Sequence, residues 1–269
     1  MRSFALVAVA ACMVAPVFAP AFAPAFADDT DPPFAASRPG ETEGPIAVPK
    51  GYFQAETEIA SFSHDRSSRA KSSAISLAAT SLRYGLPADF DAELIVQPYL
   101  RTSLSAAGFK DHGDGFGDAT IRVLKNLMGQ DGKGPSLALI GYLTLPTARN
   151  GLGAPAAQPG AIVTGGVPLA DGWATAWTVG VERLAEGGDQ HQAEFSVALQ
   201  LSHSFTDKIG GYVELAGVRD EHNVRTMASA DLGATLAIGP TTQLDAGVNL
   251  GITSAADNAN LFVGWAHRF

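Results

Sequence analysis

Cysteine is all but missing from this 269-residue chain, and the only one is Cys12. It lies in a stretch laid out like a cleaved secretory signal. Arg2 is followed by the apolar run SFALVAVAACMVAPVFA, then by small residues ending AFA before DDTD. Cleavage after Ala27 removes the thiol, so the exported chain has no disulfide to staple it. Prolines at 16, 20 and 24 argue against a retained membrane helix, because each removes a helical donor. A second reading of Val9–Cys12 as a lipoprotein processing box leaves an unusually short signal before Cys12.

Positive charge is also scarce. Removing residues 1–27 takes away Arg2 and no acid, leaving 17 basic and 27 acidic side chains, a net charge of −10. That balance argues against nucleic acid or anionic lipid as partners, since both are held by Lys/Arg clusters. A convincing helical period is the third absence. No window after residue 49 shows one, which excludes helical bundles and α/β folds.

What is present is alternation. Residues 28–49, DDTDPPFAASRPGETEGPIAVP, are Pro-rich, acidic and without period, and read as an extended periplasmic segment. From Lys50 onward, about ten residues of alternating bulk recur between turn residues. Twelve such segments are expected, near 50–63, 71–84, 90–102, 116–128, 135–146, 160–170, 172–185, 191–206, 208–219, 225–238, 241–253 and 258–269. Leu244, Ala246, Val248, Leu250 and Ile252 oppose Gln243, Asp245, Gly247, Asn249 and Gly251. Phe195, Val197, Leu199 and Leu201 oppose Glu194, Ser196, Ala198, Gln200 and Ser202. The chain ends LFVGWAHRF, with Leu261, Val263, Trp265, His267 and Phe269 on one face.

Links alternate between tight turns (ADG, TDK, GPT) and longer loops (SAAGFKDHGDG, TARNGLGAPAAQP). Together these features predict an all-β fold, a transmembrane antiparallel β-barrel of about 12 strands in a Gram-negative outer membrane. A soluble β-sandwich would need Val, Leu and Phe on its inner face, where this chain puts Gly, Ala, Ser, Gln and acids. A sheet that spans lipid must close, because lipid cannot satisfy a free edge. The expected domains are 1–27 (signal), 28–49 (a plug candidate) and 50–269 (barrel).

Several motifs carry a likeness to a family. Arg38-Pro39, Thr42-Glu43-Gly44-Pro45, Val48-Pro49-Lys50-Gly51 and Gln54-Ala55-Glu56 stand at the start. SLRYGLPADFDAELIVQPY, GFGDATIRVLKNL, LALIGYLTLPT and LSHSFTDKIGGYVEL follow. The chain thereby resembles, over most of residues 38–269, the outer-membrane transporter family linked to the meta-pathway of phenol degradation. The resemblance implies a barrel passing small aromatic or hydrophobic compounds, and it brings no catalytic residue with it.

A charge on the lipid face costs about 2–4 kcal/mol near the midplane, so ionised side chains are expected inside. The lumen and solute-path candidates are Glu56, Glu58, Glu93, Arg101, Arg122, Glu182, Glu194, Glu214, Asp231 and Asp245. Such a lumen favours cations and neutral polar solutes over anions; the blander reading is that the acids pair with the arginines and fill the interior. Arg38, Pro39, Glu41 and Glu43 are the plug candidates at the periplasmic mouth. Tyr52, Phe53, Trp173, Tyr212 and Trp265 are expected near the membrane interfaces. Phe269 is the expected assembly signal, offered with the last strand to the barrel-assembly machinery.

Catalysis finds no support. His203 and Ser204 are adjacent, so a strand sends them to opposite faces. Asp111, His112 and Asp114 in KDHGDGFGD lack a full calcium-ligand spacing, so no metal site is assigned, and no cofactor is expected. Residues 151–160 lack the Lys and helix of a phosphate loop. The function expected is passive passage of small molecules through an acid-lined lumen, the partners being solutes and outer-membrane lipids. The alternative is a structural or adhesive barrel with a closed lumen and partner-binding loops.

Overall fold

The computed structural model describes residues 34–66, 70–187, 190–221 and 226–269. The expected signal peptide and its expected cleavage after Ala27 lie outside the described residues. Within them the chain is a single antiparallel sheet of fourteen strand segments. The first half contains β1 (Phe53–Arg66), β2 (Ala70–Leu86), β3 (Phe90–Val96), β4 (Tyr99–Ala106), β5 (Phe109–Gly115), β6 (Ala119–Met128) and β7 (Ser136–Leu145). The second half contains β8 (Gln158–Pro168), β9 (Trp173–Gly187), β10 (Gln190–Ser204), β11 (Ile209–Asp220), β12 (Thr226–Ala237), β13 (Thr242–Gly251) and β14 (Ala259–Arg268).

β1 pairs with both β2 and β14, which closes the sheet on itself. β3 and β4 lie end to end along β2, and β6 and β5 continue them as the next row. Fourteen segments therefore make a closed barrel of twelve staves among the described residues. Closure follows from the alternation itself: each stave has one apolar face, and only a closed cylinder gives every such face to lipid with no edge left unpaired.

The outward face carries the large apolar side chains. Phe195, Val197, Leu199, Val213, Leu215, Leu232, Leu244, Leu250, Leu261 and Val263 are all exposed. Bulky rings collect at the end where the tight turns lie. Trp173, His203 and Phe205 stack there, as do Trp265, His267, Phe269 and Phe53. Lys125 lies over the Phe90 ring at 4.9 Å while its ammonium reaches the Ala88 carbonyl. On β2 the outward band runs from Tyr84 up to Ile75. Nine residues at ~3.3 Å each and a tilt of ~40° give a height of about 23 Å, close to the ~25 Å apolar band of barrels of this kind. Leu199 is 57% exposed near the middle of that band. Leu199→Arg is expected to cost about 2–4 kcal/mol in denaturant unfolding, and Ser196→Arg on the inner face well under 1. Equal losses would contradict the assigned faces.

The structure corrects some sequence-based boundaries. The fourth stave begins at Phe109, not 116, and the expected loop SAAGFKDHGDG is mostly a hairpin of β4 and β5 turning at Ala107–Gly108. Its residues are exposed on both faces, so no hydropathic alternation marks it as strand. Asp111, His112 and Asp114 lie on this strand, with Asp111 on the opposite face from the other two.

A second correction moves Arg101. The pairing of β1 with β14 slips between Glu58 and Ala60, and Ala78 in β2 has a left-handed φ of 57°. Pro98, across from Ala78, interrupts the third stave between β3 and β4. At this row of irregularities two successive residues point outward: Leu77 and Ala78 are both exposed while Ser76 and Ala79 are buried. Asp91 and Glu93 below the break face inward, but Tyr99 and Arg101 above it do not. Arg101 pairs with Ile75, which is 38% exposed on the outer surface. A one-residue offset exchanges faces, and a strict count of alternate positions carries Arg101 to the wrong side.

Candidate functional site

The lumen is where charge concentrates. Glu56, Glu58, Glu93, Arg122, Glu182, Glu214, Asp231 and Asp245 are all buried on the inner face, and Glu194 is half-buried there. Tyr212, expected at an interface, is instead only 7% exposed on the inner face, on the same parity as Glu214. Tyr52, Phe53, Trp173 and Trp265 lie around the tight-turn rim, where the Tyr52 ring sits 5.0 Å from the Arg268 guanidinium.

Residues 34–49 occupy the inside of the barrel. Lacking periodicity, the segment forms no strand, so its backbone groups must be met by wall side chains. The Ser37 and Arg38 amides donate to Glu56 Oε2 at 2.9 and 3.1 Å. Glu41 and Thr42 amides donate to the two oxygens of Glu214 at 2.6 and 2.9 Å, and the Thr42 hydroxyl adds a third bond at 2.5 Å. Val48 donates to Asp91 Oδ2 at 2.9 Å. Carbonyls are met as well: Gln54 donates to Ala35, Gln243 to Arg38, Thr164 to Glu43, and Asn126 to Pro45. Inward acids thus serve as acceptors for a backbone that would otherwise be unpaired.

Three arginines tie the segment to the wall. Arg38 binds Asp245 through both Nε (3.2 Å) and Nη2 (3.0 Å), a two-pronged contact. Glu43 pairs with Arg122 at 2.5 Å. Arg83, 1% exposed, reaches Asp91 (2.6 Å), Glu56 (3.3 Å), the Ser37 hydroxyl (2.8 Å) and the Ile46 carbonyl (3.2 Å). One guanidinium therefore holds both legs of the segment, which enters and leaves on the tight-turn side. Apolar contacts add to these: Phe34 and Ala36 cluster with Ala266, and Ala47 with Leu124, Ala138 and Ile140.

Small residues give the segment its space. A Cβ at Gly264, on the inner face of β14, would strike the Arg38 guanidinium. Gly40 turns the segment at φ 111°, close against Gln200 and Glu214.

Of the plug candidates, Arg38 and Glu43 make the buried ion pairs and Glu41 accepts from Asn249 at 2.8 Å. Arg83, the arginine with most partners here, is not among the lumen candidates that the sequence suggests. It lies in the quoted motif Leu82-Arg83-Tyr84-Gly85, and strand alternation aims Arg83 and Gly85 inward. Gln54 and Gln243 carry no charge and Thr42 lies on the segment itself, so strand alternation gives none of them a partner, whereas Asp91 shares the inner face of Glu93 and could have been assigned with it. Phe269 is exposed, its amide bonded to the Phe53 carbonyl at 2.8 Å.

This architecture can be set beside known proteins. An outer-membrane channel from Pseudomonas putida F1 matches at a TM-score of 0.61 and 15% identity, covering 86% of this chain and 99% of that one. The transport unit of the autotransporter AIDA-I from Escherichia coli matches at 0.56 and 9%, covering 81% and 90%. The translocator domain of the autotransporter NalP from Neisseria meningitidis matches at 0.52 and 14%, covering 81% and 88%. At these identities the likeness is one of fold, an outer-membrane β-barrel. A comparison with curated protein sequences gave no match. A family model does match, over residues 36–269, so it takes in both the lumenal segment and the wall that holds it. The chain belongs to the family described as "Putative MetA-pathway of phenol degradation".

Proposed function

We propose that this outer-membrane barrel passes small molecules passively, and that residues 34–49 form a plug that must shift before anything crosses. The observation that carries the reading is the way the segment is held. It fills the lumen through many hydrogen bonds and ion pairs to wall side chains, beside the buried apolar contacts of Phe34, Ala36 and Ala47. Water entering the lumen can replace each of those bonds, so displacement does not require the barrel to unfold. Twelve staves also lie between barrels filled by side chains and open porins, so a pore of modest width is left when the segment withdraws.

The wall then exposes Glu56, Glu58, Asp91, Glu93, Glu182, Glu194, Glu214, Asp231 and Asp245 against Arg83, Arg122 and Arg268. Such a surface concentrates cations and repels anions. Neutral aromatic compounds are the solute class we infer from the family's association with phenol degradation.

The test is a planar-bilayer recording of residues 28–269 beside a chain lacking 28–45. The intact protein is expected to show small or rare conductance steps, and the shortened one frequent larger steps with cation preference. A shortened barrel that inserts, resists heat-free denaturation on gels and stays silent would favour the structural or adhesive reading instead.

A further inference from the structure

The outer surface holds a feature that the lumen does not explain. The strand registers place Arg66, Lys71, Ser105 and Lys110 side by side across β1, β2, β4 and β5. Lys71 lies on the outward face, since Ile75 and Leu77 on the same parity of β2 are exposed outward. The next row down carries His64 and His112. The row below that holds Phe62, Ile75, Arg101 and Asp114.

The patch is thus banded. Phe62 and Ile75 mark the top of the apolar belt, and Arg101 sits at its upper edge. Lys71, four residues above Ile75, stands about 10 Å higher, with its neighbours at ~4.8 Å lateral spacing. Four cationic side chains share this outward face with a single carboxylate, Asp114, among the described residues. None of Arg66, Lys71, Arg101 or Lys110 forms a salt bridge among the described residues.

Composition pointed the other way. The net charge of −10 expected after cleavage argues against an anionic lipid partner only if the charges are mixed over the surface. The barrel separates them: buried acids line the lumen, while these cations stand outside, on the side opposite the tight turns.

We propose that this patch binds the phosphate groups of the phosphorylated glycolipid of the outer leaflet. Charge complementarity and height both fit. An anionic headgroup at the top of the belt meets Arg101 first and then the Lys71–Lys110 row, while its acyl chains lie along Phe62, Ile75 and Leu77. Arginine offers a forked set of donors to phosphate, and the lysines add mobile point charges.

The test uses the mature protein refolded in neutral detergent, with bis-phosphorylated lipid A and its fully dephosphorylated form as probes in separate titrations. The wild type is expected to bind the phosphorylated lipid at least tenfold more tightly. K71E/R101E/K110E is expected to lose that preference, and the milder K71Q/R101Q/K110Q to reduce it, which covers the case in which the first variant fails to fold. K133E/K208E, at the opposite rim, is expected to keep it. Equal affinity for the two lipids would overturn the proposal, as would an unchanged preference in the folded glutamine variant. Equal binding of phosphatidylglycerol would also overturn it, by removing the glycolipid as the specific partner.

Discussion

Arg83→Met is expected to lower the unfolding free energy of the refolded barrel by about 3–5 kcal/mol, the range for breaking one side of a buried ion pair. The side chain is 1% exposed, and its loss leaves Asp91 and Glu56 facing each other across β1, β2 and β3 without a counter-charge. Ser37 and Ile46 lose a donor at the same time, so both legs of the lumenal segment loosen. Arg83→Lys should recover little, because a single ammonium cannot span four acceptors that a planar guanidinium reaches. Arg83→Met with Asp91→Asn should recover part of the loss, since one stranded charge is gone. Denaturant unfolding in micelles measures the first effect and bilayer conductance the second. If Arg83→Met stayed within 1 kcal/mol of wild type and conducted no more, the arginine would be incidental.

The second large effect is expected from adding carbon rather than removing charge. Leucine at Gly264 would occupy the space of the Arg38 guanidinium. Arg38 could then no longer reach Asp245 with both nitrogens, a contact that joins residues 207 apart in the chain. Each ~1.4 kcal/mol taken from the seated segment moves the ratio of closed to open barrels tenfold. Gly264→Leu should therefore approach the conductance of the chain lacking 28–45 while the barrel stays folded. Gly141 is the control. It faces outward with open space where a Cβ would go, so Gly141→Leu should conduct like wild type. Two variants of equal conductance would mean that Arg38 does not hold the segment.

These expectations depend on features with very different visibility in the amino-acid order. β10, β13 and β14 could be read residue by residue. Their outward faces meet lipid, which tolerates no polar side chain at mid-depth, so selection for burial in lipid writes a strict two-residue period into the sequence. The final stretch LFVGWAHRF falls with Leu261, Val263, Trp265, His267 and Phe269 outward, as its alternation indicated. The β4–β5 hairpin has the sequence texture of a loop because it stands above the lipid. With both faces wet, Lys110, Asp111 and His112 can follow one another without breaking a pattern, since there is none to break.

Arg101 and Arg83 mark the limit from two sides. The face of Arg101 depends on an offset at Ile59, Ala78 and Pro98 that runs across three neighbouring strands. Only Pro98 announces itself in the sequence, and a proline does not say which way the next residue will point. Arg83 had the correct parity all along, but its partners at positions 37, 46, 56 and 91 come together only when the barrel closes around the segment.

By itself, then, the sequence determined the number of staves, the lipid face of most of them and the alternation of tight turns with longer loops. These follow from the solvent each residue meets, a local property repeated every second position. Tertiary structure alone decided which lumenal charges pair, what fills the barrel and where the cations gather outside. Those depend on registers between strands and on distances across the lumen, and a one-dimensional pattern carries neither.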